Sequence, residues 1–212
     1  MRLLLTIIGA AVAAAAGTAA AGQPGRAPSF DCARSATQIE RMVCGDERLA
    51  ALDRALAEVF RRASSRGRGD RVRRAQRAWM SQARDRCADA ECLSFAYQSR
   101  VLELMVSEGP LFPQLERPRG EGRGRIQIHP LGGGWYLFGI NATWSGGIPG
   151  NVSTGDQAGV FRLVAGRARF QNEGCRIDFA RRGEADWQLS DNGSCGGNNV
   201  TMAGRYRLRP VR

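Results

Sequence analysis

Residues 37–60 read TQIERMVCGDERLAALDRALAEVF, and three signals in that stretch make it helical. Thr37 and Glu40 stand three apart as a capping box: the Thr hydroxyl can accept the Glu40 amide proton while the Glu carboxylate reaches back. A short helix through Val43 follows. Asp46 can cap a second helix, in which Leu49, Leu52, Leu56, Val59 and Phe60 recur at three- and four-residue steps and form one apolar stripe. Ser64 to Asp70 is a Gly/Arg/Ser turn. A third helix carries Val72, Ala75, Trp79, Ala83 and Arg86/Cys87 along one side, and a fourth carries Leu93, Tyr97, Val101, Leu104 and Met105. Gly109-Pro110 stops it. Short connections make neighbouring helices antiparallel, so residues 31–108 are expected to form a small bundle or hairpin.

Upstream, residues 22–30 are a Gly/Pro/Ala linker. Residues 1–21 have the order of a secretory signal: Met1 and Arg2, an apolar run from Leu3 to Ala16, then Ala19-Ala20-Ala21 as the small-residue cleavage pattern. The run is too short to span a bilayer comfortably, so cleavage near Ala21 and a periplasmic or secreted product without a membrane span are expected. No Cys stands near the cleavage point to carry a lipid anchor.

Downstream the period changes. Residues 109–124 are rich in Pro, Gly and Arg and read as an inter-domain linker. Beyond them Trp135–Ile140 is a strand candidate, and Val160–Val164 with Ala168–Phe170 reads as a hairpin about Ala165-Gly166-Arg167. Cys175, Ile177 and Phe179 alternate with Arg176 and Asp178, Trp187 and Leu189 flank Gln188, and Val200, Met202 and Tyr206 supply the end. Residues 125–212 are thus expected to be an antiparallel sheet or small barrel of five or six strands. The fold class is α+β, with the halves folding separately about a boundary between Gly109 and Arg125.

All six cysteines, Cys32, Cys44, Cys87, Cys92, Cys175 and Cys195, lie beyond the signal. An even number in an exported chain implies three disulfides. Cys175 and Cys195 are alone in the second half and should pair. Cys87 and Cys92 bracket an interhelix turn, and Cys32 would then meet Cys44. A set crossing the bundle, Cys32–Cys87 with Cys44–Cys92, closes longer loops and stays open. No Cys-x-x-Cys pair is present and the one histidine, His129, is far from every Cys, so no metal or cofactor is expected.

The chain holds 31 basic residues, all Arg, against 20 acidic ones. Residues 22–109 hold 16 Arg and 12 acidic residues, a net +4, and residues 110–212 hold 14 and 8, a net +6. Such charge attracts anionic polymers. Export directs the expectation away from nucleic acid and toward polymers of the cell envelope.

The first half also carries a pattern: Phe30-Asp31-Cys32, Glu40, Val43-Cys44, Leu49, Leu52-Asp53, Leu56, Ala75-Gln76-Arg77-Ala78-Trp79, Arg84-Asp85, Cys87, Cys92, Tyr97, Arg100 and Leu104. In that order these residues resemble the lysozyme inhibitor LprI N-terminal domain-like family, over about 75 of the 212 residues. The resemblance implies a helical, exported, disulfide-bonded domain that binds and inhibits lysozyme. Lysozymes of the common (c) type are cationic, so two positive proteins would meet slowly at low salt unless local contacts override net charge. The alternative is a non-catalytic module that binds peptidoglycan or another anionic envelope polymer.

No catalytic constellation is present, and an enzyme is not expected. Asp53 and Asp85 read as salt-bridge or cap residues with Arg77, Arg84 or Arg100 as partners. Trp79 and Tyr97, at helical spacing, read as core rather than as a sugar platform, and His129 beside Pro130 as a loop or strand-end residue. Gly132-Gly133-Gly134 lacks the helix and Lys of a phosphate loop and reads as a turn. The stretch from Trp144-Ser145 through Asn151 to Thr154 reads as a long Gly/Ser/Asn loop that could bind a ligand. Asn141, Asn151, Asn192 and Asn199 each begin an Asn-x-Ser/Thr triplet, without a glycan in a bacterial protein.

Overall fold

The structure, a computed structural model, describes residues 27–117, 122–146 and 150–208. The signal sequence read at residues 1–21 lies outside the described residues. Four helices are followed by eight strands: α1 (Gln38–Gly45), α2 (Glu47–Ser64), α3 (Gly69–Gln82), α4 (Ala90–Ser107), β1 (Gln114–Glu116), β2 (Gly122–Gly132), β3 (Trp135–Ser145), β4 (Val152–Arg162), β5 (Arg167–Asn172), β6 (Cys175–Gly183), β7 (Asp186–Asp191) and β8 (Gly204–Leu208). The class is α+β.

The local signals act as their chemistry requires. Thr37 Oγ1 accepts from the Glu40 amide at 3.1 Å, and Glu40 Oε2 accepts from the Thr37 and Ala36 amides at 2.9 and 2.8 Å. Those amide donors hold the Glu40 carboxyl below the usual range. Asp46 Oδ1 accepts from the Arg48 and Leu49 amides, and Asp89 Oδ1 from that of Cys92. Leu52, Val59 and Val101 are fully buried between α2 and α4. The third helix ends earlier than its apolar spacing suggests: α3 stops at Gln82 and Arg84–Arg86 is one 3₁₀ turn. The bridges are Cys32–Cys44, Cys87–Cys92 and Cys175–Cys195, with Cα atoms 5.8, 5.5 and 4.6 Å apart.

All strand pairings are antiparallel, in the order β4-β3-β2-β1-β8-β7-β6-β5. The two end strands lie beside one another, so the sheet nearly closes on itself. This corrects two expectations. Eight strands form rather than five or six, and residues 160–170 are not a paired hairpin. One bridge, Val164↔Arg167, holds the turn, with Ala165 and Gly166 both at positive φ. The strands then part: β4 pairs only with β3 and β5 only with β6, each along one edge.

The stretch 109–124 also differs from a plain linker. Leu111 and Phe112 are each 5% exposed, their amides donate to Gln127 Oε1 at 2.8 Å, and β1 joins β2 to β8. Two cores result. One lies within the sheet, around Phe138, Phe161, Phe179 and Trp187. The other joins Leu52, Leu56 and Leu104 of the helices to Leu137, Ala158 and Val160 of the sheet.

His129 sits in β2, where its ring stacks on Phe112 with centroids 4.6 Å apart. Burial, then the nearby Arg62 and Arg61, disfavours its cation more than Glu58 favours it, so its pKa is lowered. A lowered His pKa means that the unfolded chain binds the proton first. Stability therefore falls as pH drops through about 6.5, the ordinary His value. His129→Gln is expected to flatten urea-midpoint changes between about pH 7 and pH 5, and an unchanged slope would discount the histidine.

Candidate functional site

The sequence of α4, AECLSFAYQSRVLELMVS, is apolar on more than one side. Leu93, Tyr97, Val101 and Leu104 face the helical core. Phe95, Leu102 and Val106 form a second stripe, at offsets of seven and four, on the opposite flank. Phe95 is 51% exposed and Val106 59%. A helix with apolar residues on both sides commonly has something to cover each of them.

Along that second flank runs a trough between α4 and the sheet. Its first part lies between the start of α2, the first half of α4 and the β5–β6 turn, and its second between α4, β4 and the same turn. Phe95, Gln98, Asn172 and Glu173 line both parts. Leu102, Asp156 and Gln157 continue it toward Val106 and Pro110. Glu173 is held at the rim by a two-residue turn in which it and Gly174 both adopt positive φ, as hairpin turns of this length require.

The trough is electrostatically unlike the rest of the molecule. In its first two parts four carboxylates, Asp46, Glu91, Asp156 and Glu173, face one arginine, Arg48. Several carboxylates elsewhere are matched to Arg, Asp70 to Arg73 at 2.6 Å, Asp178 to Arg169 at 2.6 Å and Asp186 to Arg205 at 2.5 Å, while others, such as Asp53 and Asp191, accept from hydroxyl and amide donors. Glu91 and Glu173 have no arginine partner among the described residues. Gln98, 5% exposed, lies in the floor. Its Nε2 donates to Ser94 O and Oγ, but its Oε1 is buried without a donor among the described residues. The trough therefore offers acceptors and negative charge and calls for donors and positive charge.

The outer face of the sheet is the reverse. Arg167, Arg169, Arg176, Arg205 and Arg207 occupy exposed positions on β5, β6 and β8, against Asp178 and Asp186. A second positive patch covers the end of α2 and α3, where residues 61–77 hold eight Arg and one acidic residue, Asp70.

The residues singled out from sequence fall elsewhere. Trp144 and Ser145 end β3 and pair with Ser153 and Val152 of β4, and the Gly146 amide donates to Asn151 O at 2.9 Å. Strand pairing thus takes up much of the expected long loop, and residues 147–149 lie outside the described residues. Ser145 and Asn151 are exposed, and Trp144 is half-buried against the sheet core. Gly132–Gly134, all at positive φ, form the turn into β3. Asp85 pairs with Arg84 at 2.7 Å. Asp53 is not in an ion pair with Arg77, Arg84 or Arg100: it accepts from the buried Tyr97 hydroxyl at 3.0 Å and the Ser29 amide at 2.7 Å. Burial, then Asp53, pushes the Tyr97 pKa up, so the hydroxyl remains a donor. Trp79 meets the Tyr97 ring edge-on at 5.4 Å, within the core. Asp53→Ala orphans two donors and is expected to cost about 2 kcal/mol by urea unfolding, and Asp53→Asn, which keeps an acceptor, less. Equal losses would remove the hydrogen bonds from the account.

Phe95, Gln98, Glu91 and Glu173 do not stand out by motif. The one local signal is the second apolar stripe of α4, legible once its offsets are counted.

Fold and site together describe a disulfide-stapled α+β protein whose most distinctive surface is an acidic trough; the one described histidine, His129, lies outside it. Residues 31–104 match the family described as lysozyme inhibitor LprI. Lipoprotein LprI of Mycobacterium bovis and Lipoprotein LprI of Mycobacterium tuberculosis are each 30% identical to this chain over 110 residues, 50% of this chain and 55% of theirs. The chain spans about half the length of these curated relatives. No solved structure matches it.

Proposed function

We propose that the chain is an exported, non-catalytic protein that binds and inhibits lysozyme. The match of residues 31–104 to the LprI family carries this reading. Among the described residues no helix is long and apolar enough to cross a membrane, which is compatible with release after export. The like-charge objection weakens because the trough is locally acidic, and complementarity between the patches that meet steers encounter. The exposed Ser145 and Asn151, with Trp144 behind them, make the tip of the β3–β4 hairpin a second contact candidate. The test is a cell-wall turbidity assay in which the chain without residues 1–21 is titrated against a cationic c-type lysozyme. Inhibition saturating near one equivalent is expected. Undiminished lysis and no binding at micromolar concentration would overturn the reading.

The arginine face supports a second reading, attachment to an anionic envelope polymer. Binding of this kind weakens steeply with salt, so sedimentation with purified peptidoglycan should be lost between low and high ionic strength. Salt-insensitive sedimentation would argue against it.

A further inference from the structure

We propose that the α4–β4 trough, centred on Phe95 and Gln98, is the docking face for a basic protein partner, and that it receives an arginine or lysine side chain of that partner. This inference rests on the lysozyme reading for the identity of the partner. It rests on the structure for the place.

Three independent features select the same occupant. Phe95 presents an aromatic face that is half exposed in a chain whose other phenylalanines among the described residues are more covered. An exposed ring is a site for a guanidinium or ammonium group through cation–π attraction. In the two parts around Phe95 the rim carries four carboxylates against one arginine, Arg125 lying in the third part beside Pro110 and paired with Glu116; Glu91 and Glu173 have no arginine partner among the described residues. In a chain with 31 Arg and 20 acidic residues, a locally acidic patch runs against the sign of the net charge. The floor holds Gln98 Oε1, an acceptor with no donor. A buried acceptor without a partner is costly, and Gln98 lines both parts of the trough beside Phe95. An anionic polymer satisfies none of the three. An apolar peptide satisfies Phe95, Leu102 and Val106 but leaves the carboxylates and the amide oxygen without partners.

The trough also has the dimensions of a protein interface. It follows α4, whose 18 residues span roughly 27 Å at 1.5 Å per residue. Phe95 at its centre is the kind of aromatic anchor that dominates interface energetics, with the carboxylates as a charged rim that steers association.

The test uses the full chain without its signal residues and a cationic c-type lysozyme, with affinity read by calorimetry. Double charge reversal, Glu91→Arg with Glu173→Arg, is expected to weaken binding by about 30-fold or more and Phe95→Ser by about 10-fold, the scale of interface anchors and desolvated charges. Asp70→Arg, on α3, should change affinity less than about 2-fold, as expected for a substitution outside the interface. The sites are exposed, and thermal unfolding of each variant reports whether it is folded. A second measurement requires no substitution. The chain has no lysine, so its N-terminal amine aside, carbodiimide can join it to lysozyme only through its carboxylates, and coupling at Glu91, Glu173 or Asp156 is expected. If the wild-type chain binds but the double variant binds equally well, or coupling maps to Asp70 or Glu184 instead, the trough is not the docking face and the lysozyme reading stands. If the wild-type chain does not bind lysozyme at all, both fall.

Discussion

Replacing Leu137 with alanine is expected to lower the stability of the whole described chain, with the helical circular dichroism and the tryptophan fluorescence falling in one transition. Leu137 lies on β3 and is 1% exposed. Its side chain belongs to the core built on Leu52, Leu56, Val101 and Leu104, with Ala158 and Val160 beside it. The substitution removes buried carbon from that core and leaves a cavity bounded by both halves, at a cost of about 2–5 kcal/mol. Two further ties reinforce the coupling. Arg62 of α2 donates to Leu111 O at 3.1 Å and lies over the Phe112 ring at 4.4 Å. Arg162 of β4 pairs with Glu47 of α2 at 3.0 Å. Elements that share a core unfold together, which departs from the independent folding expected of the sequence. The decisive measurement is urea unfolding followed by both probes. Two separated transitions, with only the later or earlier one moved by Leu137→Ala, would return the halves to independence.

The contrast between the halves explains what could be read in advance. The helices are local objects: Thr37 with Glu40, Asp46 with Leu49, and the Leu49–Phe60 stripe each involve residues within a few positions of one another, so sequence spacing reports them directly. Strands β1, β2 and the first half of β4 are defined by partners far away. Gly124 in β2 is an example. A Cβ there would come within 2.9 Å of Tyr206 Cε1, so the strand accepts glycine because β8 lies against it, not because a turn is present. Gly155 in β4 is likewise backed by Gly196, with a hypothetical Cβ 2.7 Å from its Cα. Read locally, both glycines break a strand. The trough was hidden for a related reason. Its carboxylates come from α2, α4, β4 and the β5–β6 turn, and no spacing rule connects Glu91 to Glu173. The stretch around Trp144 drew notice for its Gly/Ser/Asn composition, the usual mark of a loop, although much of it is paired in β3 and β4.

Trp187→Ala should be more damaging still, and selectively so. Trp187 is the largest fully buried side chain. Tyr136 and Phe161 meet it edge-on with ring centroids 5.8 Å away, and Phe161 in turn stacks on Phe179 at 4.3 Å. The aromatic rings form a chain across the interior of the sheet, so the void left by the indole cannot close without moving several of them. A loss of about 3–5 kcal/mol is expected, and Trp187→Phe, which keeps an aromatic edge for Tyr136 and Phe161, should recover a large part. Reduction of Cys175–Cys195 acts on the same unit through the unfolded chain. Opening a loop of 20 residues removes about 3 kcal/mol of stabilisation in the loop-entropy account. A total of this size reaches the whole stability of an ordinary domain, so the reduced Trp187→Ala chain is expected to be unfolded where the oxidised one survives. Trp187 does not line the trough. Lysozyme affinity of the folded, oxidised variant should therefore match that of the wild-type chain, with only the temperature range of binding narrowed. Affinity lost at temperatures where circular dichroism reports a native fold would place the sheet interior in the recognition path.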